Sequence, residues 1–288
     1  MTEKLHSLFS EFESYLISQS PKVPSFHPYY EKALWEMVLS GGKRFRPKLL
    51  LSVVYANKAK FASKAFAPAL ALEILHTYSL IHDDLPAMDN ALLRRGVPTL
   101  HHKYDECGAI LVGDGLNTHS FYCIAKSKLK PKIKNKLIEI LSYNGGIHGM
   151  VLGQALDCYF EKQTLPLEKL RTIHLNKTAK LIAAALQMGG IIAKCDKKFC
   201  QKLYKIGLDL GLFFQIRDDI IDATQSSQEA GKTTQNDSEK NSYVNLLGLE
   251  TAKIEAKKLQ ESLQTQLQSL NPKTNQTLTI LLEEYFTF

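Results

Sequence analysis

The sequence predicts an all-α protein made of long helices. Between residues 66 and 82 the apolar side chains recur at the i, i+3, i+4 spacing of one helix face. No segment of the 288 residues alternates apolar and polar side chains between hairpin turns, and no βαβ rhythm is present. Glycines and prolines, which interrupt helices, fall between the periodic segments.

The helix boundaries follow from these interruptions, taken in chain order. The interrupting residues are segment 20–28, Gly41, Gly42, segment 95–98, Pro131, Pro166 and Pro272. The predicted helices are 3–19, 28–40, 44–57, 66–82, 101–126, 132–156, 167–194, 197–223 and 242–270, with a short one near the C-terminus. The polar segment 225–242 is predicted to be a loop. Glycines one turn apart predict close helix crossings at Gly145, Gly149, Gly153, Gly207 and Gly211.

The composition is that of an ordinary globular protein, and one domain spanning residues 1–288 is expected. Hydrophobic residues make up 44% and charged residues 23%, which argues against disorder. A net charge of +7 favours anionic partners without choosing among them. The lysine-rich segment 126–136 is interpreted as a solvated turn. It lacks interleaved aromatic residues, so no nucleic-acid partner is predicted.

The cysteines and the termini predict a cytoplasmic protein. The five cysteines form no CxxC pair, which is typical of reduced thiols, and no second pair accompanies Cys195 and Cys200 to make a zinc site. The acidic N-terminus has no signal-peptide pattern. The most apolar segment, 181–193, is too short to span a membrane and is interpreted as a buried helix.

One cluster of acids lies in "FFQIRDDIID". Gln215, Asp218, Asp219 and Asp222 stand at i, i+3, i+4 and i+7, so on a helix they form one stripe. Three carboxylates on one stripe repel one another unless a cation neutralises them. Taken alone, the cluster could equally be a solvated acidic face with Arg217 as a local partner.

A second cluster lies in "HDDLPAMD". Asp83 and Asp84 end an apolar helix, and Asp89 follows six residues after Asp83. Pro86 disfavours a continuous helix, so a break there could turn Asp89 back toward the pair. Carboxylate oxygens with open coordination positions suit Mg²⁺ that shares phosphate oxygens. Two such clusters in one all-α chain point to a diphosphate bridged by magnesium.

Basic residues to match such a diphosphate follow a double glycine and the second acid cluster. Lys43, Arg44 and Arg46 start a predicted helix, and Arg94 and Arg95 form an adjacent pair. Further bases are Lys177, Lys232 and Lys240. Neither "GGKRF" nor "GKTT" has the glycine spacing of a P-loop, so a nucleotide-binding loop is not predicted.

Together these residues resemble the trans-prenyltransferases, the family of farnesyl and geranylgeranyl diphosphate synthases. "DDLPAMD" and "DDIID" are similar to the two aspartate-rich motifs of the family. "GGKRFRP", "HTYSLIHDD", "LRRGVPTLHH", "GMVLGQALD" and "HLNKTAKL" match family blocks in order, over residues 35–250. The form of the motifs is similar to that of bacterial short-chain farnesyl diphosphate synthases.

The resemblance implies the isoprenoid synthase fold, with long antiparallel helices around a central cavity, and a homodimer. It also implies head-to-tail 1'-4 condensation of isopentenyl diphosphate with an allylic diphosphate. Three Mg²⁺ ions per active site are implied, held by Asp83, Asp84, Asp89, Asp218, Asp219 and Asp222. The implied ligands of the allylic diphosphate are Arg94, Lys177, Thr178, Gln215, Lys232 and Lys240. Those implied for isopentenyl diphosphate are Lys43, Arg46, His76 and Arg95.

The same resemblance implies which side chains act in catalysis. Thr178 and Gln215 would turn oxygen dipoles toward the forming allylic cation. The full implied set is Asp83, Asp84, Asp89, Arg94, Lys177, Thr178, Gln215, Asp218 and Lys232. The sequence departs from the family after Asp89, where Asn90, Ala91 and Leu92 replace further acids, and around Lys240.

Product length is expected to depend on Tyr78 and Ser79. A helix rises about 1.5 Å per residue, so Tyr78 lies roughly 7.5 Å below Asp83 and could close the cavity. The expected product is therefore C15 farnesyl diphosphate with C10 as a by-product, and C20 is the alternative. Tyr78 could also be an ordinary core residue.

Three other functions remain as alternatives. A class I terpene cyclase also ionises an allylic diphosphate on magnesium, but would lack "GGKRFRP" as an isopentenyl diphosphate site. A non-catalytic prenyl synthase subunit would have lost acids from its motifs, and all six aspartates are present here. A basic nucleic-acid-binding protein would leave the acid clusters unexplained.

Overall fold

Long helices make up nearly all of the structure, a computed structural model that describes residues 2–161, 163–224 and 241–286. The prediction of an all-α fold is confirmed. The helices are α1 (Thr2–Ser18), α2 (Tyr30–Leu39), α3 (Phe45–Lys58), α4 (Phe66–Asp83), α5 (Leu100–Lys103), α6 (Glu106–Lys126), α7 (Pro131–Gly145), α8 (Met150–Phe160), α9 (Leu167–His174), α10 (Lys180–Ile192), α11 (Lys197–Thr224), α12 (Tyr243–Leu247), α13 (Leu249–Gln268) and α14 (Pro272–Leu282). Short 3-10 turns cover Ala59–Phe61, Ser63–Ala65 and Glu283–Tyr285.

Three predicted helices are each divided in two. The segment 101–126 is interrupted before α6, where the Asp105 carboxylate caps the new helix by accepting a hydrogen bond from the Gly108 amide at 2.6 Å. The segment 132–156 is interrupted between α7 and α8. The segment 242–270 is interrupted at Gly248, whose φ of +79° lies outside the helical region.

The glycine series mostly mark close crossings, as predicted. A Cβ on Gly207 or on Gly211 would lie 2.3 Å from the Cα of Ala183 or of Ala179, so α11 contacts the chain around α10 backbone to backbone. Gly145 and Gly153 also face neighbouring helices, through contacts with Leu75 and Lys177. The prediction is wrong for Gly149: it stands in the turn between α7 and α8, against the Asn144 carbonyl of its own segment.

The predicted helix 167–194 is continuous but contains a π-helical turn. Leu175–Ala179 joins α9 to α10 with the wider i→i+5 hydrogen bonding. Such turns insert one extra residue into a helix and change the direction of the side chains that follow. This turn carries Lys177 and Thr178, two of the predicted site residues.

A small ribbon interrupts the helices after α4. Strand β1 (Leu93–Arg94) pairs antiparallel with β2 (Val97–Pro98), and Arg94 lies opposite Val97. Arg95 and Gly96 form the turn with positive φ values of 55° and 77°, which suit a two-residue hairpin. Two-residue strands are too short to give a periodic signal, so the ribbon was not predicted.

The apolar core lies where α4 and α10 pack against α3, α6 and α11. The segment interpreted as a buried helix forms most of α10, and its apolar side chains are almost completely buried. Within the described ranges, no helix combines the length and apolar character needed to cross a membrane. The core therefore holds the C-terminal end of α4 beside the π-helical turn and α11.

Candidate active site

The acid cluster of Asp83, Asp84 and Asp89 stands on a loop that folds back onto the end of α4. Asp83 is the last residue of the helix, and its carbonyl accepts a hydrogen bond from the Asp89 amide at 2.9 Å. The Asp84 carbonyl likewise accepts from the Ala91 amide at 3.1 Å, and Asn90 takes a left-handed conformation with φ of 47°. The break predicted at Pro86 therefore does return Asp89 to Asp83.

Asp84 is buried and paired with Arg94. The Arg94 Nε atom donates to Asp84 Oδ1 at 2.8 Å, and Nη2 contacts the same oxygen. Burial raises the pKa of Asp84 to about 6, because desolvation outweighs the opposing effect of Arg94. The sequence interpretation treated the acids and the arginine pair as separate diphosphate ligands, whereas here Asp84 and Arg94 bind each other.

Asp83 lies within a network that reaches α8 and the π-helical turn. The side-chain amide of Gln154 donates to Asp83, and Lys177 Nζ lies 2.6 Å from Asp157 Oδ2. Burial and the neighbouring Asp89 raise the pKa of Asp83, against the lowering effect of Lys177. Burial alone would lower the pKa of Lys177, but Asp157 and Asp83 raise it above its ordinary value. The lysine is therefore firmly charged.

Gln154 and Asp157 were not among the predicted site residues. Both belong to the block "GMVLGQALD", at i and i+3 on α8. An amide and a carboxylate one helical turn apart, within a block already matched to the family, were the signal that could have identified them.

The three aspartates of the cluster on α11, Asp218, Asp219 and Asp222, do not all face the same space. Asp218 and Asp222 line a cavity beside α3, but Asp219 does not. One Asp219 oxygen accepts from Gln215 Nε2 at 3.1 Å and the other from the Tyr243 amide at 2.8 Å. Burial raises the pKa of Asp219 to about 7. Asp219 therefore joins α11 to α12, apart from the two acids that face the cavity.

The cavity beside α3 is strongly basic. It has a volume of about 520 Å³, and its wall includes the four residues predicted for isopentenyl diphosphate, Lys43, Arg46, His76 and Arg95. Burial and the nearby Arg95 lower the pKa of Arg46 to about 10, and the Arg46 Nε atom is buried without a hydrogen-bond partner among the described residues. Burial and the surrounding arginines hold the pKa of His76 well below its usual range, so its imidazole is neutral.

Arg44 has a different role from the one its sequence position suggested. Its Nη1 atom lies 2.8 Å from Glu73, and its Nη2 atom donates to the Val38 carbonyl at 2.7 Å and contacts Glu13. Only 5% of Arg44 is exposed. Its guanidinium is thus already paired within the protein, and the interpretation of Arg44 as one of the phosphate bases did not include these partners.

Glu73 is a further residue that sequence reasoning missed, after Gln154 and Asp157. It is 2% exposed, and one of its carboxylate oxygens contacts two guanidiniums, Arg44 Nη1 at 2.8 Å and Arg95 Nη2 at 3.4 Å. Arg95 also donates to the Met37 carbonyl at 3.1 Å. The available signal was a single acid on the apolar face of a predicted helix. Such a carboxylate is expected to be buried, and a buried carboxylate needs a cationic partner.

A second cavity, of about 430 Å³, extends along α4 and α8. Its wall includes Asp83 and Lys177 and, along the preceding turns of α4, Tyr78 and Ser79. Tyr78 is 6% exposed, and its ring lies edge-on to His82 with centroids 5.6 Å apart. The rest of the wall is mainly apolar. The two cavities share three residues, Arg46, His76 and Thr178.

Helix α11 contacts Thr178, one of the three residues that the two cavities share. Thr178 Oγ1 donates to Gln215 Oε1 at 3.1 Å, so these two predicted residues are in direct contact. Lys232 and Lys240 lie outside the described residues.

A divalent metal at this site would need oxygen atoms from a bound substrate as well as from the protein. Among the described residues, no group of three acidic, histidine or cysteine side chains converges closely enough to bind a metal by itself. Mg²⁺, however, keeps several waters and takes only one or two carboxylates alongside substrate phosphates. Asp83 and Asp89 fit one such partial site, and a cation there would lower the raised pKa of Asp83. Asp218 and Asp222, on the wall of the basic cavity, fit another.

Comparison with known proteins agrees with this geometry. Residues 27–281 match the model of the polyprenyl synthetase family. The chain is 45% identical to the farnesyl diphosphate synthase of Micrococcus luteus over 233 residues, 79% of this chain and 80% of that one. It is 38% identical to the farnesyl diphosphate synthase of Haemophilus influenzae over 274 residues, 93% and 92% of the two chains.

A solved structure gives the same result. The geranyltransferase of Helicobacter pylori, in complex with magnesium and isoprenyl diphosphate, has a TM-score of 0.94 and 50% identity, covering 99% of this chain and 97% of that one. The fold and the family that the motifs implied are therefore confirmed. By its sequence, its helices and its relatives, this chain belongs to the polyprenyl synthetase family.

Proposed function

We propose that the protein is a Mg²⁺-dependent (2E,6E)-farnesyl diphosphate synthase. It would join isopentenyl diphosphate head-to-tail, 1'-4, to dimethylallyl and then to geranyl diphosphate. Both relatives described above carry the name farnesyl diphosphate synthase, and the Helicobacter pylori geranyltransferase was solved with magnesium and isoprenyl diphosphate. The reaction needs two diphosphates held side by side and a dry space for a growing apolar chain.

The observation that carries the proposal is the junction of the two cavities. The basic cavity offers Lys43, Arg46 and Arg95 to one diphosphate, and the second cavity offers Asp83 and Lys177 to another. Because the cavities adjoin, two bound substrates would present their reacting carbons to each other there. Such positioning converts a bimolecular step into an effectively unimolecular one.

Ionisation of the allylic diphosphate is the demanding step. We propose that Lys177, kept charged by Asp157, binds the leaving diphosphate, and that Asp84 orients Arg94 toward it. Three Mg²⁺ ions would be held by Asp83 and Asp89 on one side and Asp218 and Asp222 on the other. Bound there, the metal neutralises negative charge that develops on the leaving group.

The allylic cation formed by ionisation needs stabilisation by groups that do not react with it as nucleophiles. The hydroxyl oxygen of Thr178, which borders both cavities, would supply an oxygen dipole without a full charge, and Gln215 would orient it by accepting its hydrogen bond. The largely apolar wall of the second cavity excludes water that would otherwise capture the cation. His76 is neutral and adds no repelling charge. The departed diphosphate would take the proton released after C–C bond formation.

Chain growth would proceed along α4 toward Tyr78. Its ring stands in the wall of the second cavity, and this bulk would limit the length of the product. The proposal is therefore C15 as the main product, with some C10. Ser79 is small and leaves space beside the ring.

A homodimer in the cytoplasm completes the proposal. Several large apolar side chains are exposed on α6, at the end of α7 and in the α7–α8 connection, and exposed apolar surface of this kind suits a second copy of the chain. These residues are Ile110, Leu111, Tyr143 and Ile147. All five cysteines are free thiols, which agrees with a reducing compartment.

One incubation tests the proposal. The protein is mixed with isopentenyl diphosphate, dimethylallyl or geranyl diphosphate, and Mg²⁺, and the products are sized by mass spectrometry. We expect C15 as the main product and its loss in Asp83→Asn. A main C20 product would change the assigned product length from C15 to C20. A cyclised hydrocarbon would favour a terpene cyclase, and the absence of condensation would favour a non-catalytic subunit.

A further inference from the structure

A third cavity lies apart from the candidate active site. Its volume is about 480 Å³, within the roughly 300–1,000 Å³ typical of small-molecule pockets, and its wall shares no residue with the other two cavities. It is formed where the end of α1, the start of α4 and the C-terminal end of α6 meet, around Tyr15, Ala67 and Cys123.

Three lysines surround this cavity without a counter-charge. Lys64, Lys126 and Lys128 line it and are exposed, and no acidic residue is among the described residues of its wall. None of the three forms an ion pair within the described part of the chain. Two ammonium groups are held over rings, Lys64 over Phe61 at 5.3 Å and Lys126 over Tyr122 at 5.7 Å.

The interior of the cavity is aromatic and uncharged. The ring of His119 stacks on Tyr122 with centroids 5.7 Å apart, and Tyr15 lies against Phe66 at 5.5 Å. Burial lowers the pKa of His119 and raises that of the Cys123 thiol to about 11, so both are neutral at physiological pH. An apolar group can enter without meeting a buried charge.

The lysine-rich segment 126–136, interpreted from the sequence as a solvated turn, is thereby divided. Lys126 and Lys128 turn to the cavity. Lys134 instead donates to the Ala125 carbonyl at 2.7 Å, and Lys136 pairs with Glu139 at 2.5 Å. Only the first part of the segment therefore adds positive charge to the cavity.

We propose that this cavity binds an amphipathic phosphate. An apolar chain would occupy the aromatic interior while a phosphate or diphosphate group contacts the three lysines. The proposal goes beyond the proposed function and does not depend on it, because its test measures binding without catalysis.

The protein contains its own reporter for this site. Trp35 is the single tryptophan of the chain, is 2% exposed, and lies edge-on to His119 with ring centroids 6.3 Å apart. Trp35 fluorescence is recorded while dodecyl phosphate is added below its micelle concentration, without Mg²⁺ or prenyl diphosphates. Inorganic phosphate, dodecanol and vesicles of an anionic phospholipid are added in separate titrations.

We expect a saturable fluorescence change with dodecyl phosphate and a much weaker one with phosphate or dodecanol alone. Replacing Lys64, Lys126 and Lys128 together by alanine should weaken binding by about tenfold or more, since hydrogen bonds between ammonium groups and phosphate are stronger than those between neutral groups. Ala67→Phe, which fills the interior, should also weaken it.

The matched control changes the same charge in the same segment. Lys130, Lys132 and Lys136 are exposed and do not line the cavity, so their joint replacement by alanine should leave the affinity unchanged. An equal loss in both triple variants would indicate general electrostatic attraction and overturn the proposal. The proposal would also be overturned if the wild-type fluorescence did not change and equilibrium dialysis confirmed that dodecyl phosphate does not bind. Binding to vesicles but not to monomeric dodecyl phosphate would overturn it as well.

Discussion

The carboxylate of Glu73 lies 3.4 Å from Arg95 Nη2, on the edge of the basic cavity. The same oxygen is 2.8 Å from Arg44 Nη1, so one buried acid balances two guanidiniums. Both arginines border the basic cavity, but Arg44 is only 5% exposed and is also held by Glu13 and the Val38 carbonyl. Glu73 therefore sets where the Arg95 guanidinium stands before any diphosphate arrives.

Glu73→Gln should weaken the use of isopentenyl diphosphate. Without the carboxylate, Arg44 and Arg95 lose their common counter-charge, and Arg95 loses one of the two contacts that orient it. We expect kcat/KM for isopentenyl diphosphate to fall on the order of ten- to a hundredfold, mainly through KM. Steady-state kinetics with each substrate varied in turn measure this. The control is Glu13→Gln, since Glu13 contacts Arg44 from a position 43% exposed; the same rise in KM in both variants would contradict the role of Glu73.

Asp218→Asn and Asp219→Asn should differ although the residues are adjacent. Asp218 faces the cavity, and its loss should raise the Mg²⁺ concentration for half-maximal activity and lower kcat by about a hundredfold or more. Asp219 does not face the cavity and accepts hydrogen bonds from Gln215 and Tyr243 on its two oxygens, of which asparagine keeps only one acceptor, so its replacement should lower stability but leave the Mg²⁺ requirement nearly unchanged. Magnesium titrations of activity compare the two. A similar shift in both would show that Asp219 also holds metal.

Tyr78→Ala should lengthen the product. Removing the buried ring extends the second cavity along α4, and mass spectrometry should then find C20 or longer chains as a main product. Tyr78→Phe keeps the ring and should leave the C15 product in place. Ser79→Phe adds bulk at the adjacent position and should shift the distribution toward C10. An unaltered distribution in Tyr78→Ala would make Tyr78 a core residue only.

His174 should contribute a pH dependence to stability. It is 4% exposed, its ring packs on Tyr243 at 5.5 Å, and burial, helped by Lys177, lowers its pKa from 6.5 to about 4. Protons therefore bind the unfolded chain more readily, so this contribution is present above pH 6.5 and is lost as the pH falls toward 4, by up to about 1.4 kcal/mol per pH unit.

Chemical denaturation of metal-free protein between pH 4 and 8 measures this effect. His174→Phe should retain more of its stability at pH 5 than the wild type does, whereas the exposed His6→Gln should follow the wild type. Parallel curves for all three proteins would mean that His174 does not titrate in this range.

The long helices and most of the site were predictable because their signals are local. The periodicity of α4 and the spacing of Asp218 and Asp222 depend on residues a few turns apart. The division of the segment 101–126 was not anticipated, since a single capping residue, Asp105, decides it. The turn at Gly149 was missed because a glycine one turn from others suits a helix crossing as well as a helix end.

The electrostatic partners were harder to predict because they depend on tertiary contacts. Arg44 and Arg46 are two residues apart in one basic segment, and only the fold shows that the first is occupied by Glu73 while the second faces the cavity. The pairing of Asp84 with Arg94 likewise requires the ribbon to turn the chain back.

The shared wall of the two cavities has a consequence for inhibitor design. Arg46, His76 and Thr178 border both spaces, so a ligand in one cavity lies directly beside a ligand in the other. A single molecule can therefore carry an anionic group for the basic cavity and an alkyl chain for the cavity along α4. Once one end is bound, the other experiences an effective concentration that reaches about the millimolar range for a short linker. Avidity from two weak fragments can thus exceed what either cavity offers alone.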